Sequence, residues 1–236
     1  MVSRDDAQTG GALTVKCCGT RWADSPECQV RFLELSCIEF SFPLSAFVTS
    51  DLHLGHIKML SFLRPDGERL RPFSSIEEMH ETLVERWNKM VHAKDRVYIL
   101  GDVAIPRSGL KVLERFNGNK VLIRGNHDIF KIQDYLPYFE DIRGAFYRDG
   151  LIFTHIPVHP EGLDGKRYVG NVHGHLHCHR VLDNNGEIDR RYFNACVEVN
   201  NFSPVALEHI KAYFQANERA PHVQHSHQGA MERSHS

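Results

Sequence analysis

The sequence predicts a layered α/β domain with a metal site at the carboxyl ends of its strands. Two patterns predict it. Five apolar or β-rich runs each break into Asp, His or Asn: FVTSDLHLGH (47–56), VYILGDV (97–103), VLIRGNHD (121–128), LIFTH (151–155) and NVHGHLH (171–177). Between the first three runs lie segments of helical period, so the first half reads β-α-β-α-β. That order implies parallel strands with right-handed crossovers. In open α/β sheets ligands bind outside the carboxyl ends of the strands, where all five runs place their polar residues.

Taken in order, residues 1–45 lack a sustained period and read as a poorly ordered extension. Within them Val30 to Phe42 is more apolar and could add a strand, which Pro43 would stop. The domain is expected to span 46–216, beginning with a strand at 46–50. After Asp51 comes a loop, then a helix whose stripe is Ile76, Met79, Leu83, Val84, Trp87, Met90 and Val91. Ser74 and Glu77 have the spacing of a capping box at its start. A strand over 96–100 ends at Gly101-Asp102. Residues 107–116 suit a second helix, with Leu110, Leu113 and Phe116 inward and Gly118 closing it. The strand into Gly125-Asn126-His127-Asp128 follows. In the second half, 151–155, 168–175 and 192–199 read as strands, with turn chemistry at Asn184-Asn185-Gly186. Ser203-Pro204 reads as N-cap and first residue of a last helix carrying Leu207, Ile210 and Phe214. Residues 217–236 read as a His-rich disordered tail, whose metal affinity would be adventitious.

Bulk properties narrow the class. The chain has 236 residues, 42% hydrophobic and 25% charged, which is ordinary for a soluble globular protein. A net charge of −2 gives no global field for nucleic acid or an anionic membrane. No apolar run approaches the roughly 20 residues that span a bilayer. Met1 to Thr20 lacks a basic stretch followed by an apolar one, so a cytoplasmic protein without a secretory signal is expected. The cysteines, Cys17, Cys18, Cys28, Cys37, Cys178 and Cys196, fit neither a zinc ribbon nor a disulfide framework. They read as reduced thiols with no part in the site. Of the 16 histidines, His222, His225, His227 and His235 lie in the tail.

The strand-end residues form a coherent ligand set by type. Asp51 and His53 are two apart, so a loop can turn both toward one ion. Asp102 follows a glycine that lets backbone approach closely, and a carboxylate can bridge two cations where an imidazole cannot. Asn126, His155 and His175 supply neutral nitrogen and oxygen ligands, and His177 can face the other ion. Imidazoles mixed with hard oxygens suit Mn²⁺, Fe or Zn²⁺ better than Ca²⁺. Two such ions ~3.5–4 Å apart clamp phosphoryl oxygens and generate a hydroxide at neutral pH.

SDLHLGH, LGD, GNHD, TH and HGHLH, in that order, resemble the calcineurin-like metallophosphoesterase superfamily over about residues 46–200. NVHGHLH with YFNACVEVNNFSP is similar to a small bacterial and phage branch of phosphoesterases. The resemblance implies a four-layer αββα sandwich with a dinuclear metal centre on its rim. It implies Asp51, His53 and His177 at one metal, Asp102 as the bridge, and Asn126, His155 and His175 at the other. His127 would contact the phosphate or protonate the leaving oxygen. The implied cofactors are two divalent ions, Mn above Fe, Zn, Ni or Co, and the implied substrate is a small phosphate ester; the oligomeric state stays open. One departure is clear. The protein-phosphatase branch carries GDxVDRG and GNHE, whereas this chain reads GDVAIPR and GNHD. Ile105 stands where that branch has the carboxylate that orients the catalytic His, which argues against a protein phosphatase and leaves the orienter of His127 unassigned.

Neighbouring residues carry weaker readings. His56 reads equally as a solvated loop residue or a substrate contact. Asp128 reads as a substrate or supporting residue, and His173 as a supporting or packing one. Arg124 could contact substrate or pack its stem on the core. His159, Lys166 and Arg167 lie in the 156–170 loop, where surface solvation is favoured over substrate contact. His80 and His92 read as ordinary helix residues. A phosphodiester substrate is expected over a monoester, because a monoester dianion wants a guanidinium clamp and only Arg107 and Arg124 lie near the motifs. The alternatives are a nuclease or nucleotide phosphohydrolase, disfavoured by the lack of a basic stripe, and a non-catalytic scaffold, disfavoured because every ligand position is filled.

Overall fold

The structure, a computed structural model, describes residues 44–163 and 167–218. The expectations for 1–43, for the four thiols there, for Lys166 and for the tail beyond 218 lie outside the described residues. Two sheets make up the architecture. In the first, β1 (Ala46–Thr49), β2 (Arg96–Ile99), β3 (Asn119–Ile123) and β4 (Asp141–Arg143) run parallel in the order β4-β3-β2-β1. The short β9 (Val205–Ala206) pairs antiparallel on the far side of β1. In the second sheet β6 (Leu151–Phe153), β7 (Gly170–His173) and β8 (Tyr192–Asn194) are parallel, and β5 (Phe146–Arg148) is antiparallel to β6.

Side-chain alternation sorts the strands into layers. Val48, Tyr98, Leu100, Val121 and Ile123 from the first sheet share one cluster with Leu151, Phe153 and Val172 from the second. Phe47, Val97, Ile99 and Leu122 point the other way, onto helix α1 (Ile76–Met90). After the short helix α2 (Ile132–Tyr135), helix α3 (Leu207–Glu218) contributes Leu207, Ile210 and Phe214 to the cluster shared by the sheets. On the far face of the second sheet, Ile152 and Tyr192 are covered by Leu163, a loop residue beyond the short turn Pro160–Gly162. This is the expected layered architecture, with that outer cover built from loop among the described residues. No helix of the described residues is long and apolar enough to cross a membrane.

Helix α1 forms for the reasons its sequence suggests. Met79, Leu83, Val84 and Trp87 are buried, and each such burial contributes roughly 1.5–3 kcal/mol. Packing rather than intrinsic propensity therefore holds it. The cap lies one residue later than expected: Ser75 accepts the Glu78 amide at 3.1 Å, and Glu78 accepts the Ser74 amide at 2.6 Å. Met90, the last helical residue, falls off the stripe and is 38% exposed.

Four other expectations change: the strand over 192–199 stops at Asn194, and Val197–Val199 is a 3₁₀ turn. The 107–116 segment is a 3₁₀ helix, Arg107–Arg115, not an α-helix. Its apolar residues Leu110, Leu113 and Phe116 recur strictly every three, which lines up one face at three residues per turn. Ser203-Pro204 does not open the last helix; it leads into β9, and α3 starts at Leu207. Proline suits the entry to such an edge strand. Strands β4 and β5 were not expected, being only three residues each, β4 with charges at both ends and β5 ending in Arg148. The β5–β6 hairpin turns through Asp149-Gly150, both at positive φ (53° and 75°), the conformation an Asp-Gly turn favours.

Candidate metal centre

The five motif strands deliver their polar ends to one place. Gly101 and Asp51 are joined by a backbone bond of 3.0 Å, as are His53 N–H and Asp102 C=O. The two sheets meet where Ser50 bridges Cys196 and where His175 N–H donates to Asp51 Oδ2 at 2.8 Å. Gly101 has φ 86°, and a Cβ there would lie 2.5 Å from Gly125 N, so only glycine lets the β2 and β3 loops nest. A Cβ on Gly174 would lie 1.9 Å from Ser50 Oγ, so the second sheet's loop needs glycine to close on the first. Five ligand candidates themselves sit in left-handed backbone: Asp51 (φ 60°), His53 (48°), Asp102 (53°), His175 (68°) and His177 (50°).

Two triads result. Asp51, His53 and His177 bring one donor atom each within 4.8 Å of one another, and Asp102, His155 and His175 do the same. Asp102 Oδ2 lies 3.7 Å from His53 Nε2 and 3.3 Å from His155 Nε2, between the triads. Asn126 Oδ1 approaches His155 Nε2 at 2.8 Å. The structure thus brings together all seven of the expected ligands.

The donor chemistry fits cations. Asp51 Oδ2 accepts from Ser50 Oγ (2.6 Å), His175 N (2.8 Å) and Cys196 Sγ (3.1 Å). Its Oδ1 is buried without a partner, as are both ring nitrogens of His53. Buried polar atoms are rarely left unpaired, because desolvation without a partner is costly. His155 Nδ1 lies 2.7 Å from the Leu100 carbonyl, so the neutral ring keeps its proton there and presents the Nε2 lone pair. That lone pair, Asn126 Oδ1 and Asp102 Oδ2 then face one another as acceptors, an arrangement a cation satisfies. His177 is set similarly: Nδ1 is 3.0 Å from Glu198 Oε1, and Nε2 faces Asp51 Oδ1 at 3.9 Å. Burial opposes ionisation of Asp51, but the His53 contact, the His155 and His177 rings and the Ser50 hydroxyl hold it well below the usual carboxylate range. Asp102 is lowered too, with burial again outweighed by His155 and the His127 amide. Both carboxylates therefore present negative charge to the site.

The remaining candidates separate. His127 is exposed at the rim; its N–H donates to Asp102 Oδ1 at 2.9 Å and its ring centre is 5.6 Å from that of His53. His56 is half-buried 5.5 Å from the His53 ring; burial, then the nearby His53 and His127, push it down to about 4. Asp128 turns onto backbone: it is buried and accepts three backbone amides. Arg124 turns away as well, donating to the carbonyls of Asp128 and Phe130 and lying over the Tyr135 ring. His173 is buried on β7, 2.8 Å from the Gly174 carbonyl and outside both triads. Arg107 is exposed and paired with Asp134 at 3.1 Å, and Arg167 lies over Tyr168. His159 accepts the Glu161 amide at 3.3 Å.

The calcineurin-like phosphoesterase family model matches residues 44–233, a span that holds both triads. The chain belongs to the calcineurin-like phosphoesterase family. It is 36% identical over 170 residues to the uncharacterized protein MJ1445 of Methanocaldococcus jannaschii, covering 70% of this chain and 88% of that one. The Gene 66 protein of Mycobacterium phage L5 is 33% identical over 188 residues, covering 65% of this chain and 86% of that one. A solved structure of a protein of unknown function from Aquifex aeolicus has a TM-score of 0.54 at 20% identity, covering 72% of this chain and 99% of that one. That likeness speaks to the fold.

This phosphoesterase-family site also uses residues that sequence reading passed over. Arg71 is fully buried beneath it and bound to Glu198. Cys196, expected to take no part, donates its thiol to Asp51; burial and then the Asp51 charge push that thiol well up. His80, taken as an ordinary helix residue, accepts the Gly55 amide at 2.9 Å through Nε2. Glu198 had a faint signal, an acidic residue inside the apolar run CVEV. Arg71 and His80 had none.

Proposed function

We propose that this chain hydrolyses small phosphate esters, phosphodiesters in preference to monoesters, with two divalent cations, Mn²⁺ favoured. The observation that carries the reading is the set of buried polar atoms without partners, Asp51 Oδ1 and the His53 nitrogens, beside the convergent lone pairs of Asp102, Asn126 and His155. Asp51, His53 and His177 would hold one cation, and Asn126, His155 and His175 the other, with Asp102 shared. Bound there, the cations supply Lewis-acid charge to the phosphoryl oxygens and lower the pKa of water. His127 stands at the rim free to meet the phosphate or give a proton to the leaving oxygen. The free thiols Cys178 and Cys196 support a cytoplasmic setting.

The diester preference draws support from the two arginines nearest the motifs. Arg107 is committed to Asp134 and Arg124 to backbone carbonyls, so neither offers the second dianion charge a clamp. The test compares kcat/KM for a bis-aryl and a mono-aryl phosphate with the same leaving group at equal Mn²⁺. Faster turnover of the diester is expected; preference for the monoester would overturn the substrate reading, and no turnover of either would overturn the esterase reading.

A further inference from the structure

Behind His177 lies a buried ion pair that touches the site from two directions. Glu198 Oε1 accepts from His177 Nδ1 (3.0 Å), Arg71 Nε (2.9 Å) and Arg71 Nη2 (2.6 Å). The same guanidinium donates to the backbone carbonyls of Asp51 and Leu52. Arg71 is thus fixed to the segment carrying Asp51 and His53, and through Glu198 to the ring of His177, from 127 residues further along the chain than itself at Glu198. The side chains of Arg71 and Glu198 are 0% and 2% exposed.

Stability alone explains this pair poorly, since a buried ion pair is weak evidence for stabilisation. Its placement explains it better. A carboxylate on the far nitrogen of an imidazole fixes the ring's tautomer and orientation and strengthens the near nitrogen as a ligand. The other triad lacks such a device at His155, whose Nδ1 meets only the neutral Leu100 carbonyl. The two triads are built with unequal support.

We propose that Arg71 and Glu198 are positioning residues that make the Asp51–His53–His177 triad the tighter of the two cation sites. This rests on the reading that the triads hold cations. Glu198 holds the His177 ring with its Nε2 toward Asp51 Oδ1, and Arg71 holds Glu198 and the Asp51 backbone in one frame.

The test is Mn²⁺ binding by the full chain, followed by calorimetry and by the electron-paramagnetic-resonance signature of a coupled pair. Wild type is expected to bind two ions per chain. Glu198→Gln is expected to keep one at near wild-type affinity and to bind the other roughly 10–100-fold more weakly, losing the coupled signature until Mn²⁺ is raised. The melting temperature of the cation-free protein serves as control. If Glu198→Gln fails to fold, the double variant Arg71→Met/Glu198→Leu, which removes both charges together, should show the same selective loss. Unchanged affinity at both sites, with or without a fall in the cation-free melting temperature, would overturn the proposal and leave the esterase reading standing. A wild-type chain that takes up no Mn²⁺ would overturn both.

Discussion

Asp128 holds the loop that carries Asp102. Its Oδ2 accepts the Asp102 amide at 2.9 Å and the Gly125 amide at 2.8 Å, while its Oδ1 accepts the Val103 amide at 3.0 Å. The last residue of the GNHD tetrad therefore acts on backbone, tying the β3 loop to the β2 loop. An asparagine has a single acceptor oxygen and cannot serve all three amides. Asp128→Asn should cost about 1–3 kcal/mol, the penalty for leaving a buried donor unpaired. Urea unfolding of the cation-free protein checks this; an unchanged midpoint would show that the amides find other partners.

Asp102 stands between the triads, so Asp102→Asn should lower metal content and abolish hydrolysis together. Measuring bound Mn²⁺ per chain beside turnover decides it. A variant with two ions and full activity would contradict the shared position given to this carboxylate.

His127 separates binding from chemistry. Its ring belongs to neither triad, although its amide touches Asp102. His127→Ala should retain both ions and lose roughly 10²–10⁴ in rate if the ring moves a proton. Metal analysis that showed one ion missing would make it a ligand instead.

His80 predicts a pH dependence. Burial lowers its pKa below the usual 6.5, ahead of opposing pulls from Glu77 and Glu81, and Nε2 must be unprotonated to accept the Gly55 amide. A histidine depressed in the folded state contributes stability that is present above 6.5 and lost as pH falls below it. Cation-free wild type should therefore lose more melting temperature between pH 7.5 and 5.5 than His80→Gln, which can accept the same bond and does not titrate. Equal losses in the two proteins would sink the assignment.

What was legible in the sequence was local. Each expected ligand sits at the end of one of the five apolar runs, so hydrophobic pattern and residue type were enough to nominate Asp51 or His155 without knowing what lay opposite. The parallel order β1-β2-β3 followed from the helical segments between those runs. Residues that act at long range left no such trace. Arg71 lies among loop residues with ordinary spacing, and its partner is 127 positions away. Cys196 is 145 positions from the carboxylate it serves. Asp128 was visible but stayed open between substrate contact and support, because a carboxylate beside a ligand looks the same whether it faces substrate or backbone. The 3₁₀ segment misled because an apolar repeat of three fits a short stretch of either helix.

Left-handed backbone at Asp51, His53, Asp102, His175 and His177 sets local comfort against use. Asp and His enter that region more readily than most residues, yet each still pays roughly 1 kcal/mol or more for a geometry glycine adopts without penalty. Glycine at any of the five would relax the chain and delete the side chain. Drift that answered only to folding would thus empty this rim one position at a time, beginning with its most strained members. A descendant selected for its fold alone should read as a sturdier protein with glycines where these acids and imidazoles stand.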